Sequence, residues 1–334
     1  MRNNIALLLL VFLAACYPLE DFPEKQLPED NLDASVVVAS RYLSHNANEL
    51  SFEADVVLLS RYSSFGDDPF YQEEDFQLSG QGGTYVIDRF LNNQYFRSSG
   101  NSSSVILIDQ SGSYAATDPH NYRSKAIHKF MEDSYPDGDF MVGGFAAGGN
   151  VTNMPTEYIA DNFTTASDDQ LPGLYEMAKR TGGKSNVYDA MDHAIEKLIP
   201  IQVANKDLVV LVHAQDEVSD ADFESVNAKA IANGVLVHII ALGSETDEEL
   251  LSSMALSTGG SFAYCKDHKT MVTVLANLQR LLNGVAQGYS IRIKVVKSTG
   301  SYQPGEAVYT TITAMDHFSE YEFNPGVVTV KIPQ

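Results

Sequence analysis

The chain has 334 residues, 44% of them hydrophobic, so it is long enough for two domains and apolar enough to fold around a buried core. It carries 44 acidic against 22 basic side chains, a formal net charge of −22, which argues against binding to nucleic acid or to anionic lipid headgroups. An acidic surface suits soluble cations or basic partners, or simply keeps a protein soluble at a cell surface.

The N-terminus has the pattern of an export signal. Arg2 is followed by the apolar run 5–13, which has the length of a signal-peptide core and is too short to span a bilayer. The run ends in Leu-Ala-Ala-Cys at 13–16, which resembles the lipobox of bacterial lipoproteins, where the cysteine is acylated and becomes the new N-terminus. We therefore expect residues 1–15 to be a lipoprotein signal peptide and Cys16 to be the lipidation site. The alternative is an ordinary secretory signal in which this cysteine is incidental.

The segment 16–33, which begins with the acylated cysteine, is predicted to be a flexible tether. It is rich in proline and acidic residues and shows neither helical nor strand periodicity. Tyr17 stands where an aspartate would favour retention in the inner membrane, so by resemblance to Gram-negative lipoproteins we expect the outer membrane, on either its periplasmic or its outer face. The lipid is the only membrane contact expected. The other cysteine, Cys265, is then left without a disulfide partner and is expected to be a packed core thiol.

The predicted secondary structure changes twice along the chain. Residues 34–100 show period-2 alternation interrupted by Gly, Asn and Asp, which predicts antiparallel strands. The region 104–283 alternates helical segments with apolar strands, beginning with the continuous run 105–108, which is typical of a strand covered on both faces. This alternation predicts an α/β fold with a mostly parallel sheet between two helical layers. Strands return after Gly288.

The domain organisation follows from the number of strands in the last segment. Three strands are too few for an independent domain. We therefore expect 34–100 and 288–334 to pair into one all-β, sandwich-like domain, with the α/β domain at 101–287 inserted between its two parts.

Chemistry is predicted in the segment Asp-Gln-Ser-Gly-Ser at 109–113, because it follows directly on the buried strand. Sites in parallel sheets form where loops leave the carboxyl ends of strands. Alternate residues of an extended loop point the same way, so Asp109, Ser111 and Ser113 can present three oxygens to one point. Hard oxygen ligands with a single carboxylate suit Mg²⁺, or else Mn²⁺ or Ca²⁺, and leave a coordination position for a partner.

This segment resembles the first loop of the metal-ion-dependent adhesion site (MIDAS) of von Willebrand factor type A (vWA) domains. The likeness continues through much of 104–283: residues 181–190 resemble the family's second metal loop, and 234–243 and 257–260 match its late strand and closing turn. The resemblance implies a Rossmann-like vWA fold. It also implies four metal ligands, with a serine in the place of a threonine in the second loop: Asp109, Ser111, Ser113 and Ser185.

The third metal loop departs from the family. At this point the family commonly has Thr-Asp-Gly, whose aspartate completes the metal shell, whereas this chain has Val-His-Ala-Gln-Asp at 212–216. We place His213 at the aspartate's position, and an imidazole is a softer ligand that adds no charge when neutral. Asp216 is an alternative ligand from further along the loop. If neither binds, metal affinity is weakened or lost.

Two functions follow, and neither is enzymatic. The first is binding, through a divalent ion, of a protein or extracellular-matrix-like ligand that offers a carboxylate, as in cell adhesion. The second is a metal-independent scaffold or assembly lipoprotein with a degenerate MIDAS. We do not expect an enzyme, because no nucleophile–base or acid–base pair stands at a recognisable spacing.

Overall fold

The structure, a computed structural model, describes the chain from Ala34 onward with several gaps. Within these residues, no helix combines the length and the apolar character that crossing a membrane requires. The predicted signal peptide and tether, with Cys16 and Tyr17, lie outside the described residues. The described ranges are 34–59, 71–95, 101–132, 138–146, 154–243, 246–265, 267–282, 286–315, 322–323 and 325–334.

Strands at both ends of the chain enclose a central region in which strands and helices alternate. The strands are β1 (Ala34–His45), β2 (Glu49–Leu59), β3 (Phe76–Gly80), β4 (Gly83–Tyr95), β5 (Ser102–Asp109), β6 (Asp139–Phe145), β7 (Glu157–Tyr158), β8 (Asn205–Val212), β9 (Val235–Leu242), β10 (Phe262–Cys265), β11 (Ala286–Lys297), β12 (Ala307–Ala314) and β13 (Gly326–Lys331). The α-helices are α1 (Tyr114–Thr117), α2 (Tyr122–Glu132), α3 (Ser167–Lys179), α4 (Val187–Leu198), α5 (Phe223–Ala232), α6 (Glu248–Ser257) and α7 (His268–Leu282).

The larger sheet has ten strands in the order β4-β11-β2-β1-β10-β9-β8-β5-β6-β7. Its strands from β10 to β6 are parallel to one another. Ile106 and Ile108 of β5 pack with α2, α3 and α7 on one face, while Val105 and Leu107 pack with α4 and α5 on the other. The continuous apolar run of β5 is therefore buried on both faces, and the predicted α/β fold is confirmed.

Of the strands that flank the α/β region, β1, β2, β4 and β11 extend the larger sheet, and β3, β12 and β13 form a second sheet. β11 pairs antiparallel with both β2 and β4, and β12 pairs antiparallel with β3 and β13 in a separate three-stranded sheet. Phe52 and Ile293 of the larger sheet belong to one buried cluster with Ile312 and Val328 of the smaller one. The predicted all-β, sandwich-like part, built from both flanking segments, is thus present.

The two parts share a sheet instead of standing as separate layers. β1 pairs antiparallel with β10, with Val37 opposite Phe262, so the antiparallel strands continue the parallel sheet. This pairing covers a sheet edge whose backbone groups would otherwise face solvent. All described residues accordingly belong to one compact unit, Leu32–Gln334. The domain boundaries near 101 and 287 stay predictions. Cys265 is a buried free thiol, as expected, and burial raises its pKa.

Candidate metal site

The candidate site lies where β5 and β8 end side by side. The two strands run parallel, with Ile108 opposite Leu211, so the chain leaves both at the same edge of the sheet. We call residues 110–113 after β5 the first loop, residues 180–186 before α4 the second loop, and residues 213–222 after β8 the third loop.

Asp109 holds the first and third loops together. Its carboxylate is fully buried, and Oδ1 accepts a hydrogen bond from the Ser111 backbone N–H at 2.7 Å. Oδ2 accepts one from the backbone N–H of His213 at 3.1 Å. Burial raises the pKa of the Asp109 carboxyl, and hydrogen bonds from Ser111, His213 and Ala214 partly oppose that rise. A nearby cation would favour the ionised form of this carboxyl.

The first loop presents two hydroxyl groups close together. The Oγ atoms of Ser111 and Ser113 are 2.9 Å apart, and Ser111 is only 2% exposed. The backbone N–H of Gly112 donates to the carbonyl of Gly183 at 3.3 Å, which ties the first loop to the second. Gly183 has a φ of +72°, a conformation that a residue with a Cβ rarely adopts. The two loops therefore meet through a backbone contact that does not use the serine hydroxyls.

Gln110 holds the first loop in place through hydrogen bonds to β6, α3 and the second loop. Its backbone N–H donates to the Phe145 carbonyl at 2.7 Å, and its side-chain amide donates to the Met177 carbonyl at 2.7 Å. Its backbone carbonyl accepts from Gly182 at 2.8 Å. A side chain at Gly144 would collide with the Gln110 amide, so β6 needs a glycine here.

Ser185 is the ligand candidate of the second loop. It is fully buried, and its Oγ has no hydrogen-bond partner among the described residues. Its backbone is well satisfied: its N–H donates to Oε2 of Glu217 at 3.1 Å, and its carbonyl accepts the N–H of Glu217 at 2.9 Å. A buried hydroxyl without a partner costs about 1–3 kcal/mol, a cost that a bound cation or water would remove.

The three loops line an open cleft with a volume of about 440 Å³. Of the four metal ligands implied by the resemblance, Ser111 and Ser113 line the cleft directly. Asp109 and Ser185 are buried and are not part of the lining. The full lining is Ser111, Gly112, Ser113, Gly183, Ala214, Gln215 and Glu217.

The two third-loop candidates from the sequence are not part of this lining. The ring of His213 is buried and packs against Tyr114, with ring centroids 5.1 Å apart. The carboxylate of Asp216 accepts hydrogen bonds from the backbone of Tyr188 in α4 and from Ser219. Glu217, which no sequence motif indicated, lines the cleft instead. Its place directly after Asp216 was the only sequence signal for it.

A buried ion pair lies behind the first loop. Arg123 and Asp118 are 3.3 Å apart, and both side chains are fully buried. The Arg123 guanidinium lies 4.3 Å from the centre of the Tyr114 ring, and this tyrosine follows the first loop directly. Burial, followed by the charge of Asp109, raises the pKa of Tyr114 well above its ordinary value.

The donor set fits a hard divalent cation. It consists of one buried carboxylate and three hydroxyl groups, and oxygen ligands of this kind suit Mg²⁺, Mn²⁺ or Ca²⁺. In the described part of the chain, no three His, Cys, Asp or Glu side chains are grouped as metal ligands, so a zinc site of the usual nitrogen and sulfur type finds no support there.

Comparison with known proteins agrees with this architecture. The family model for the von Willebrand factor type A domain matches residues 105–281, just over half of the 334-residue chain. The curated proteins compared with the chain contain no match to it.

The solved structures that match the chain share little sequence with it. A von Willebrand factor type A protein from Catenulispora acidiphila is 10% identical, with a TM-score of 0.48, 90% of this chain covered and 73% of that one. Proximal thread matrix protein 1 from the mussel byssus, solved with a zinc-occupied MIDAS motif, is 16% identical, with a TM-score of 0.45 and coverage of 62% and 50%. The pilus adhesin SpaC from Lactobacillus rhamnosus GG is 8% identical, with a TM-score of 0.45 and coverage of 90% and 48%. By the family match over 105–281, the chain belongs to the von Willebrand factor type A domain family.

Proposed function

We propose that this chain is a binding protein that holds a partner at the cleft through a divalent ion of the Mg²⁺ type. The observation that carries the proposal is the Ser185 hydroxyl, which is fully buried without a hydrogen-bond partner in the described residues. Such a group is costly in a structural loop and useful in a ligand shell. Ser185 belongs to the second loop, whose backbone is hydrogen-bonded to the first loop between Ser111 and Ser113.

Each residue of the proposed site has a separate part. Asp109 would supply the negative charge, and the hydroxyl groups of Ser111, Ser113 and Ser185 would supply neutral oxygens. The open side of the cleft leaves room for water or for an oxygen of the partner. When bound, the ion would attract a carboxylate that the acidic surface repels, since the chain carries a net charge of −22.

The partner class that fits this site is a protein or extracellular-matrix-like ligand with an exposed carboxylate. We also propose that the chain is anchored to the bacterial outer membrane, on its periplasmic or its outer face, by a lipid on Cys16. Replacing Cys16 with alanine should abolish incorporation of labelled palmitate and release the protein from membranes. Continued labelling of the variant would contradict the lipid anchor and leave the cleft unaffected.

The metal site is tested by calorimetric titration of the purified chain with Mn²⁺ and Mg²⁺. Ser111→Ala should weaken binding at least tenfold, because it removes one ligand oxygen and the partner of Ser113. Ser298→Ala, which changes an exposed serine in the turn after β11, is the matched control and should bind as the wild type does. Equal binding by all three proteins would place the ion elsewhere.

A metal-independent scaffold is the second candidate, and one observation favours it. Directly after His213, the third loop presents Ala214 and Gln215 to the cleft, and neither side chain carries a charge. For a metal-independent scaffold, partner binding should be unchanged by EDTA and by Ser111→Ala. Loss of partner binding in EDTA, restored by Mg²⁺, would favour the metal-dependent proposal.

A further inference from the structure

We infer that Glu217 supplies the third-loop carboxylate of this cleft. It would provide the second negative charge toward the ion, from a position that neither the family resemblance nor the strand end indicates. The inference rests on the proposed function, since it names a further residue of the same site. It concerns cation affinity and is independent of the partner's identity.

The first ground is position. Glu217 lines the cleft together with Ser111 and Ser113, the two first-loop hydroxyls. The remaining third-loop residues in the lining are Ala214 and Gln215, so Glu217 is the acidic residue of that lining. An ion held at the serine hydroxyls would therefore find its second carboxylate on this side.

The second ground is the contact with Ser185. The Glu217 backbone N–H donates to the Ser185 carbonyl, and Oε2 of Glu217 accepts the Ser185 N–H. These two hydrogen bonds hold Glu217 against Ser185, whose buried Oγ lacks a hydrogen-bond partner among the described residues. Oε2 of Glu217 makes this contact, and Oε1 is the oxygen that would face the ion. A ligating glutamate needs both features, a fixed backbone and a free oxygen.

The third ground is that neighbouring acids already have structural tasks. Asp216 bonds the backbone of Tyr188 in α4, and Asp222 caps α5 by accepting the Ser225 N–H at 2.8 Å. Asp189 of α4 accepts the backbone N–H groups of Asp220 and Ala221. These carboxylates hold helices and turns together.

The consequence is electrostatic. A divalent ion beside Asp109 alone retains a net single positive charge, whereas with Glu217 the two carboxylates balance it. The second carboxylate strengthens attraction for the ion, and the effect is larger in a partly enclosed cleft than in water.

The test is titration of the full chain with Mn²⁺ alone. In Glu217→Gln the amide oxygen can still accept the Ser185 N–H, so both hydrogen bonds to Ser185 can form while the negative charge is removed. We expect at least about tenfold weaker Mn²⁺ binding, together with an unchanged thermal unfolding temperature without metal. Asp220→Asn is the matched control, since it removes one charge from the same loop at an exposed side chain outside the cleft, and its affinity should stay within about twofold of the wild type.

The outcomes separate the two proposals. If wild type binds Mn²⁺, Ser111→Ala does not and Glu217→Gln binds equally well, the role of Glu217 is overturned and the metal site stands. An equal loss in Glu217→Gln and Asp220→Asn would show a general charge effect and would also overturn it. If the wild type does not bind Mn²⁺, both the metal site and the role of Glu217 fail.

Discussion

The first and third loops of the cleft leave neighbouring strands but are held in different ways. The first loop is short, and its backbone is bonded to β6 and to the second loop through Gln110 and Gly112. The third loop, 213–222, is longer, and its acids Asp216 and Asp222 bond the starts of α4 and α5. In this cleft the short loop is held by hydrogen bonds to a neighbouring strand and to the second loop, whereas the long loop is held by those that its acids make at helix N-termini.

Breaking the buried ion pair close to the first loop should have the largest effect on stability. Arg123→Met leaves Asp118 buried without its cation, so we expect the free energy of unfolding to fall by about 3–5 kcal/mol, measured by urea denaturation. Arg41→Met is the control, because its ion pair with Glu53 involves an arginine that is 68% exposed, and it should change stability little. Similar losses in both variants would mean that the buried pair contributes no more to stability than the exposed one.

A smaller effect should separate ligand residues from structural ones. In Ser185→Ala the unpartnered buried hydroxyl is removed, so the metal-free protein should be more stable by about 1 kcal/mol while its stabilisation by Mn²⁺ is lost. Ser219→Ala should do the reverse. Its hydroxyl donates to Asp216 and accepts from the Asp189 backbone, so stability falls and Mn²⁺ binding stays. Thermal unfolding with and without Mn²⁺ measures both, and parallel behaviour of the two variants would remove the distinction.

The smallest expected effect is a dependence on pH. Burial raises the folded-state pKa of Asp109. Protonation of this carboxyl therefore contributes its full stabilisation of the fold below about pH 4, and this stabilisation is lost as the pH rises through the raised pKa. The stability of Asp109→Asn relative to wild type should therefore increase over that window and level off above it. Urea denaturation across pH measures this difference, and a difference that stays flat with pH would contradict the buried charge. Mn²⁺ should reduce it, because the ion favours the ionised wild-type carboxyl.

Several features were predictable because they depend on local pattern. The continuous apolar run before Asp109 required cover on both faces, and the structure supplies helices on each. A first loop that begins at the strand end could be oriented from residue spacing alone, and Ser111 and Ser113 do lie side by side. Period-2 alternation likewise indicated the flanking strands, although it left their partners open.

Only the tertiary structure decided which strands and loop residues meet. The pairing of β1 with β10 depends on edges that exist only once both sheets have formed, so no local pattern announces it. In the third loop, the sequence offered His213 and Asp216, but their side chains turn to Tyr114 and to α4, and Glu217 reaches the cleft. Which side chain of a long loop faces a cleft depends on hydrogen bonds to helices distant in sequence. For this reason the sequence alone indicated the α/β class and the first loop, whereas the folded chain decided the strand pairing and the acidic side of the cleft.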